Sequence, residues 1–186
     1  MKFYTSDLHL DHKNIIDYED RPYSNIDSMN EDIIKRWNNK VGPRDIVYIL
    51  GDFAFCKGPR ANNFLDRLNG QKVLVVGNHD SFLDDKSFDR SKFTKICYYD
   101  KIHDKDSKGN DYRVILFHYP IAVWDCKHHG AIHLFGHIHK DGDSKHHPLR
   151  VKLTNGYNVG VDVNNFEPLT LDEIITKYGY TQIQLT

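Results

Sequence analysis

Cysteine is scarce in this chain: Cys56, Cys97 and Cys126 are the only three among 186 residues. An odd number without C-x-x-C spacing argues against a disulfide framework and predicts free thiols in a reducing compartment. Long apolar runs are also missing, so no stretch is fit to span a membrane. The opening Met1-Lys2-Phe3-Tyr4-Thr5-Ser6-Asp7 turns polar at once, unlike a signal peptide. Together these absences predict a cytoplasmic location. Nor is there an excess of charge of one sign. With 25 basic and 26 acidic residues the net charge is -1, which provides no global field for nucleic acid or an anionic membrane. Internal repeats, low-complexity tracts and Pro/Gly/Ser-rich linkers are lacking too, so 1–186 reads as a single domain. Its 39% hydrophobic and 12% aromatic content suits a globular core.

What is abundant is histidine. The twelve include His9 and His12 in Asp7-Leu8-His9-Leu10-Asp11-His12, and His137 and His139 in Gly136-His137-Ile138-His139. Imidazole is the commonest protein metal ligand and the side chain best suited to moving protons near neutral pH.

Periodicity predicts alternating short strands and amphipathic helices. Lys2–Thr5 reads as a strand. Ser28 to Lys40 reads as a helix with a Ser28/Glu31 capping box and Met29, Ile33 and Trp37 on one face. The β-branched run from Asp45 to Leu50 suits a buried strand. Pro59 begins a second helix with Ala61, Phe64, Leu65 and Leu68 inward and Gly70 at its end. Lys72–Val76 is a strand, and Phe93–Tyr99 pairs with Tyr112–Phe117 across Lys108-Gly109-Asn110. Ala131–Phe135 is another strand. Asn155-Gly156 signals a hairpin between Val151–Leu153 and Tyr157–Val161. Thr170 and Glu173 cap a last helix that Gly179 ends. The expected class is α/β, with mixed sheets rather than purely parallel ones.

Five apolar runs end in metal-competent or proton-transferring side chains. They lead into Asp7 and His9, into Gly51-Asp52, into Gly77-Asn78-His79-Asp80, into His118, and into Gly136-His137-Ile138-His139. In open α/β sheets the carboxyl ends of strands are where sites form. The donors are oxygen and nitrogen without thiolate, which suits Mn²⁺, Fe or Zn²⁺. They outnumber what one tetrahedral ion needs; two ions about 3.5–4 Å apart, bridged by a carboxylate, use them all. Gly51, Gly77 and Gly136 each precede a proposed ligand, where a missing Cβ permits a sharp turn or close approach.

In that order and spacing, Asp7-x-His9, Gly51-Asp52, Gly77-Asn78-His79-Asp80, His118 and Gly136-His137-x-His139 resemble the calcineurin-like metallophosphoesterases, in a compact bacterial or phage form. The resemblance spans Asp7 to His139. It implies two packed mixed β-sheets flanked by helices, a four-layer sandwich. It puts Asp7, His9 and His139 on a first divalent ion, Asp52 between two ions, and Asn78, His118 and His137 on the second, with manganese favoured. It makes His79 the general acid, oriented by Asp80, in the hydrolysis of a phosphate ester by a hydroxide that the two metals activate.

Blander readings stand beside these. Asn78 suits a left-handed turn, and Asp80 an N-cap. His12 and Arg21 are candidates for substrate phosphate, Arg21 through its two-pronged guanidinium; either can equally lie apart from the site. His128-His129 and His146-His147 read as solvated pairs, and Trp37 and Trp124 as core or pocket wall. A small nucleotide-like phosphodiester is the favoured substrate. A phosphomonoester is the alternative, and nucleic acid is less favoured. A non-catalytic scaffold and a metal-storage protein are the competing classes.

Overall fold

The computed structural model describes residues 1–140 and 153–181. Strand β1 (Lys2–Thr5) is followed by the single turn α1 (Ile15–Tyr18) and the long helix α2 (Ile26–Lys40). Then come β2 (Ile46–Ile49), α3 (Gly58–Arg67), β3 (Gln71–Val75) and β4 (Lys95–Cys97). The second half contributes β5 (Tyr99–Lys105), β6 (Asp111–Phe117), β7 (Ile132–Phe135), β8 (Gly156–Asn158) and α4 (Leu171–Tyr178). Two four-stranded sheets result, ordered β1-β2-β3-β4 and β5-β6-β7-β8, with helices flanking them.

Alternation along the strands explains the layering. Phe3, Val47, Ile49 and Leu74 point to one face of the first sheet and pack with Met29, Ile33, Trp37, Phe64 and Leu65 of α2 and α3. Their neighbours Tyr4, Tyr48, Val73 and Val75 point the other way and meet Val114, Leu116, Ile132 and Leu134 of the second sheet. Both faces of the first sheet are therefore buried, which is why its strands read as continuous apolar runs. Ile115, on the far face of the second sheet, packs with Trp124 and Ala131. Leu171 and Ile174 of α4 join the core between the sheets.

Several expectations need correction. The first sheet is not mixed: all three of its pairings are parallel. Its strands are joined by long crossovers, two of them helical, and parallel neighbours require that. The second sheet is mixed, with β5 antiparallel to β6 and the other pairs parallel. The run Phe93–Tyr99 is divided: β4 joins the first sheet, whereas β5, starting at Tyr99, is the true hairpin partner of β6. The chain changes sheets at Tyr98, which is 73% exposed. β8 pairs with β7 on one side, and Asn155 takes the left-handed φ of 58° that the expected turn calls for. Most of the expected partner arm, with His146 and His147, lies outside the described residues. The capping box at Thr170 and Glu173 is present.

Helix α2 starts two residues before Ser28. Asn25 is its N-cap, accepting from the Ser28 backbone N–H at 2.9 Å, because the extended φ and ψ of Asn25 aim its side chain back along the helix axis. Among the described residues no helix is long and apolar enough to cross a membrane. Asn25→Ala should lower the unfolding free energy by about 1 kcal/mol. Urea denaturation checks it, and an equal loss in Glu31→Ala but not Asn25→Ala would restore the Ser28 cap.

Candidate metal centre

The loops leaving β1 and β2 stay zipped beyond the strands. Asp7 N–H donates to Gly51 O at 3.0 Å, His9 N–H to Asp52 O at 3.0 Å and Leu10 N–H to Phe53 O at 3.1 Å. This pairing carries Asp7, His9 and Asp52 to a common edge. The second sheet is tied to the same edge by His118, whose Nδ1 lies 2.7 Å from Leu50 O. Gly136 N–H donates to His118 O, which sets the turn carrying His137 and His139 beside it.

Five residues at this edge have left-handed backbones: Asp7 (φ 56°), His9 (51°), Asp52 (54°), His137 (71°) and His139 (46°). Non-glycine residues rarely take this conformation, and each instance costs on the order of 1–3 kcal/mol unless its surroundings enforce it. Here the strain turns successive side chains toward one point. The glycines make room for it. A Cβ on Gly77 would lie 2.3 Å from Asp52 Oδ1, and one on Gly136 would lie 2.2 Å from Ser6 Oγ and 2.4 Å from Asp7 Oδ2.

Two groups of donors result. Asp7, His9 and His139 present ligand atoms within 4.8 Å of one another, and so do Asp52, His118 and His137. Asp52 Oδ2 lies between the groups, 3.5 Å from His9 Nε2 and 3.6 Å from His118 Nε2. These separations are long for hydrogen bonds. Two donors that each reach one ion at about 2.1 Å would stand roughly 3.0–3.4 Å apart, slightly closer than these atoms do. The other Asp52 oxygen, Oδ1, accepts from His79 N–H at 2.8 Å. Asp7 accepts from Ser6 Oγ at 2.6 Å and from His137 N–H at 3.0 Å.

The residues fit divalent cations on three counts. His9 Nε2 is buried and has no hydrogen-bond partner. The outer nitrogens of two rings are engaged, His118 Nδ1 at Leu50 O and His139 Nδ1 at Asp162 Oδ2 (2.8 Å), which is how ligating imidazoles are oriented. Finally, Asp7, Asp52, Asp80 and Glu19 are buried where Arg21 is the buried lysine or arginine among the described residues. Burial pushes the Asp7 carboxyl up despite the nearby His139 and His118, as expected of a carboxylate cluster short of positive charge. Burial, with Arg21 and His139 nearby, holds His9 well below the usual imidazole range, in the neutral form that binds metal.

Asn78 borders the second group, its Oδ1 2.9 Å from His118 Nε2. His79 is half-buried, its ring centroid 5.5 Å from that of His9. His12 lies at the rim, with Nδ1 3.2 Å from His9 Nδ1. Burial and the neighbouring His79 and Arg21 lower its pKa to about 4. The structure corrects two expectations. Asp80 does not orient the His79 ring; its oxygens accept the backbone N–H groups of Asp52, Phe53 and Gly77 and so fasten two loops together. Burial raises its pKa to about 6 even so. Arg21 is no substrate contact. Its side chain is fully buried, pairing with Asp162 through Nε (2.8 Å) and Nη2 (2.9 Å) and capping Asp7 O and Leu8 O. His128 and His129 are exposed in a short turn at residues 127–129.

Sequence reasoning missed Asp162. It orients His139 and holds Arg21, and although burial opposes its charge, Arg21 and His139 bring its pKa down to about 2. The rule that located the others would have found it, since the apolar run Tyr157–Val161 also ends in an aspartate. Phe55 and Tyr119, exposed rings beside the two groups, were missed as well.

Fold and site define an α/β protein of two packed four-stranded sheets with a candidate two-metal centre where the sheets' loops meet. No protein-family model matches the chain. It is 37% identical over 172 residues to uncharacterized protein MJ1445 of Methanocaldococcus jannaschii, covering 91% of this chain and 86% of that one, and it belongs to that protein's family. Gene 66 protein of Mycobacterium phage D29 is 28% identical over 92% of both chains. Gene 66 protein of phage L5 is 25% identical over 86% of both. Among solved structures, the protein of unknown function AQ665 from Aquifex aeolicus superimposes with a TM-score of 0.69 over 95% of this chain and 98% of its own. At 23% identity that likeness concerns the fold alone.

If Arg21 serves only to hold the Asp7 loop and Asp162, Arg21→Ala should cost about 3–5 kcal/mol of stability, the usual penalty for stranding a buried partner. Chemical denaturation measures this. Wild-type stability in that variant would return Arg21 to the list of substrate contacts.

Proposed function

We propose that this chain is a metal-dependent phosphoesterase of the calcineurin-like metallophosphoesterase type, a four-layer sandwich holding two divalent cations, with manganese favoured. One observation carries the reading. A single buried carboxylate oxygen, Asp52 Oδ2, stands 3.5 and 3.6 Å from imidazole nitrogens of two separate donor groups. Asp7, His9 and His139 would hold one cation and Asn78, His118 and His137 the other, with Asp52 shared. When bound, the pair would supply Lewis acidity toward phosphoryl oxygens and lower the pKa of water toward neutrality.

The chain's own residues have separable tasks. Ser6 and the His137 N–H fix the Asp7 carboxylate, Leu50 O and Asp162 fix the His118 and His139 rings, and Asp80 clamps the loops that carry Asp52 and Asn78. His79 belongs to neither donor group, yet it stands half-buried beside His9 and His12. As an imidazolium it would give its ring proton to the departing ester oxygen, a contribution typically worth about 10²–10⁴-fold. Metal storage would leave such a residue without a task. The substrate is a small phosphate ester, with a nucleotide-like diester favoured. The three free thiols Cys56, Cys97 and Cys126 support a reducing, cytoplasmic setting.

Incubation with Mn²⁺ and a nitrophenyl phosphate monoester or diester should give turnover that a chelator abolishes; bound metal without turnover on either would defeat the proposal. Asp52→Asn should lose metal and activity together. His79→Ala should keep its metal and slow cleavage of an alkyl ester by about 10²–10⁴-fold. Nitrophenolate leaves with less help, so its esters should suffer less. An alkyl ester cleaved at the native rate by His79→Ala would remove the general-acid role.

A further inference from the structure

Phe55 is a large apolar side chain exposed beside His79, 48% open to solvent. Nothing in its local structure calls for exposure, because its backbone is well fixed. Phe55 N–H donates to Leu10 O at 2.8 Å, and Ala54 bridges Leu10. The ring is fixed as well. Its inner face lies on the His12 imidazole, with centroids 4.3 Å apart and planes 19° from parallel, and His12 is in turn anchored to His9. The Phe55 and His79 rings meet at 62° with centroids 5.8 Å apart. This stack covers one face of the phenyl ring, and about half of the residue still faces solvent. Tyr119, on the opposite side of the centre, differs: it meets His118 and His137 at 73° and 65°.

The Phe55 ring borders a groove of about 550 Å³ that is also lined by Cys56, Lys57, Ser81 and Asp84. That volume falls within the usual range for small-ligand sites. Phe55 links this groove to the site, because its ring centroid stands 5.8 Å from that of His79, the residue that would protonate the departing oxygen. Whatever the leaving alcohol carries would therefore extend toward Phe55.

We infer that Phe55, backed by His12 and flanked by the groove of Lys57, Ser81 and Asp84, is a stacking subsite for a planar base, so that the leaving group is a nucleoside. The inference rests on the phosphoesterase reading for its orientation. The base lies against the phenyl face away from His12, while Ser81 and Asp84 offer hydrogen-bond partners to sugar hydroxyls and base edges. Phe55 is thus a specificity residue. It touches the substrate, and it moves no proton.

Equilibrium binding to the Mn²⁺-loaded protein tests this without requiring turnover. Calorimetry should find adenosine 5′-monophosphate bound about tenfold or more tightly than ribose 5-phosphate, the usual worth of one base–aromatic stack. Phe55→Ala and Phe55→Leu should bring that ratio close to one, and Phe55→Tyr should keep it. Circular dichroism of each variant shows that the fold is intact. Equal affinities in the wild type, or a ratio unchanged in Phe55→Ala, would overturn the subsite. Failure of the metal-loaded protein to turn over any phosphate ester would instead overturn the phosphoesterase reading, and the binding ratio would still decide the role of Phe55.

Discussion

Asp52 is a carboxylate buried between two sets of imidazoles, and its surroundings hold it there. Its backbone is left-handed, its N–H is bound by Asp80, and its Oδ1 is bound by the His79 N–H. Only Oδ2 remains to face both His9 and His118. Taking a carboxylate out of water costs several kcal/mol unless opposite charge compensates it. The protein meets that demand within the Asp162 pair through Arg21, whereas the neighbours of Asp7 and Asp52 are imidazoles. The surplus of buried carboxylates over buried guanidinium adds to the shared position of Asp52 as a reason to propose cations here.

The surrounding architecture is arranged to keep this geometry from relaxing. Parallel strands end together at one edge of the first sheet, and the zipped loops after β1 and β2 continue the pairing past the strands. Five left-handed residues then bend the chain inward, which only dense hydrogen bonding sustains. Arg21 shows how far the support reaches. Coming from the loop after α1, it caps two carbonyls of the Asp7 loop and clamps Asp162, which in turn aims His139.

Much of this was legible in the sequence because it follows from strand ends. An apolar run that stops at Asp or His is a local signal, and it located Asp7, Asp52, His118 and His139 at a common edge. The helix faces were readable from the spacing of Met29, Ile33 and Trp37, all buried. What escaped depends on partners distant in the chain. Arg21 looks like a free guanidinium until Asp162, 141 residues away, is seen to hold it. Asp80 is adjacent to His79 in sequence, but its side chain turns toward backbone N–H groups that sequence spacing does not reveal. The split of Phe93–Tyr99 between two sheets was hidden for a related reason: a strand's pattern shows that it pairs, not with whom.

Electron paramagnetic resonance of the protein titrated with Mn²⁺ addresses the central claim most directly. Two cations sharing Asp52 would stand about 3.5–4 Å apart, close enough for their spins to couple. Two equivalents per chain should therefore give an exchange-coupled spectrum, and the isolated-ion signal should be weak at saturation. Binding that stops at one equivalent, or two equivalents that show only uncoupled Mn²⁺, would contradict a centre built around a shared carboxylate.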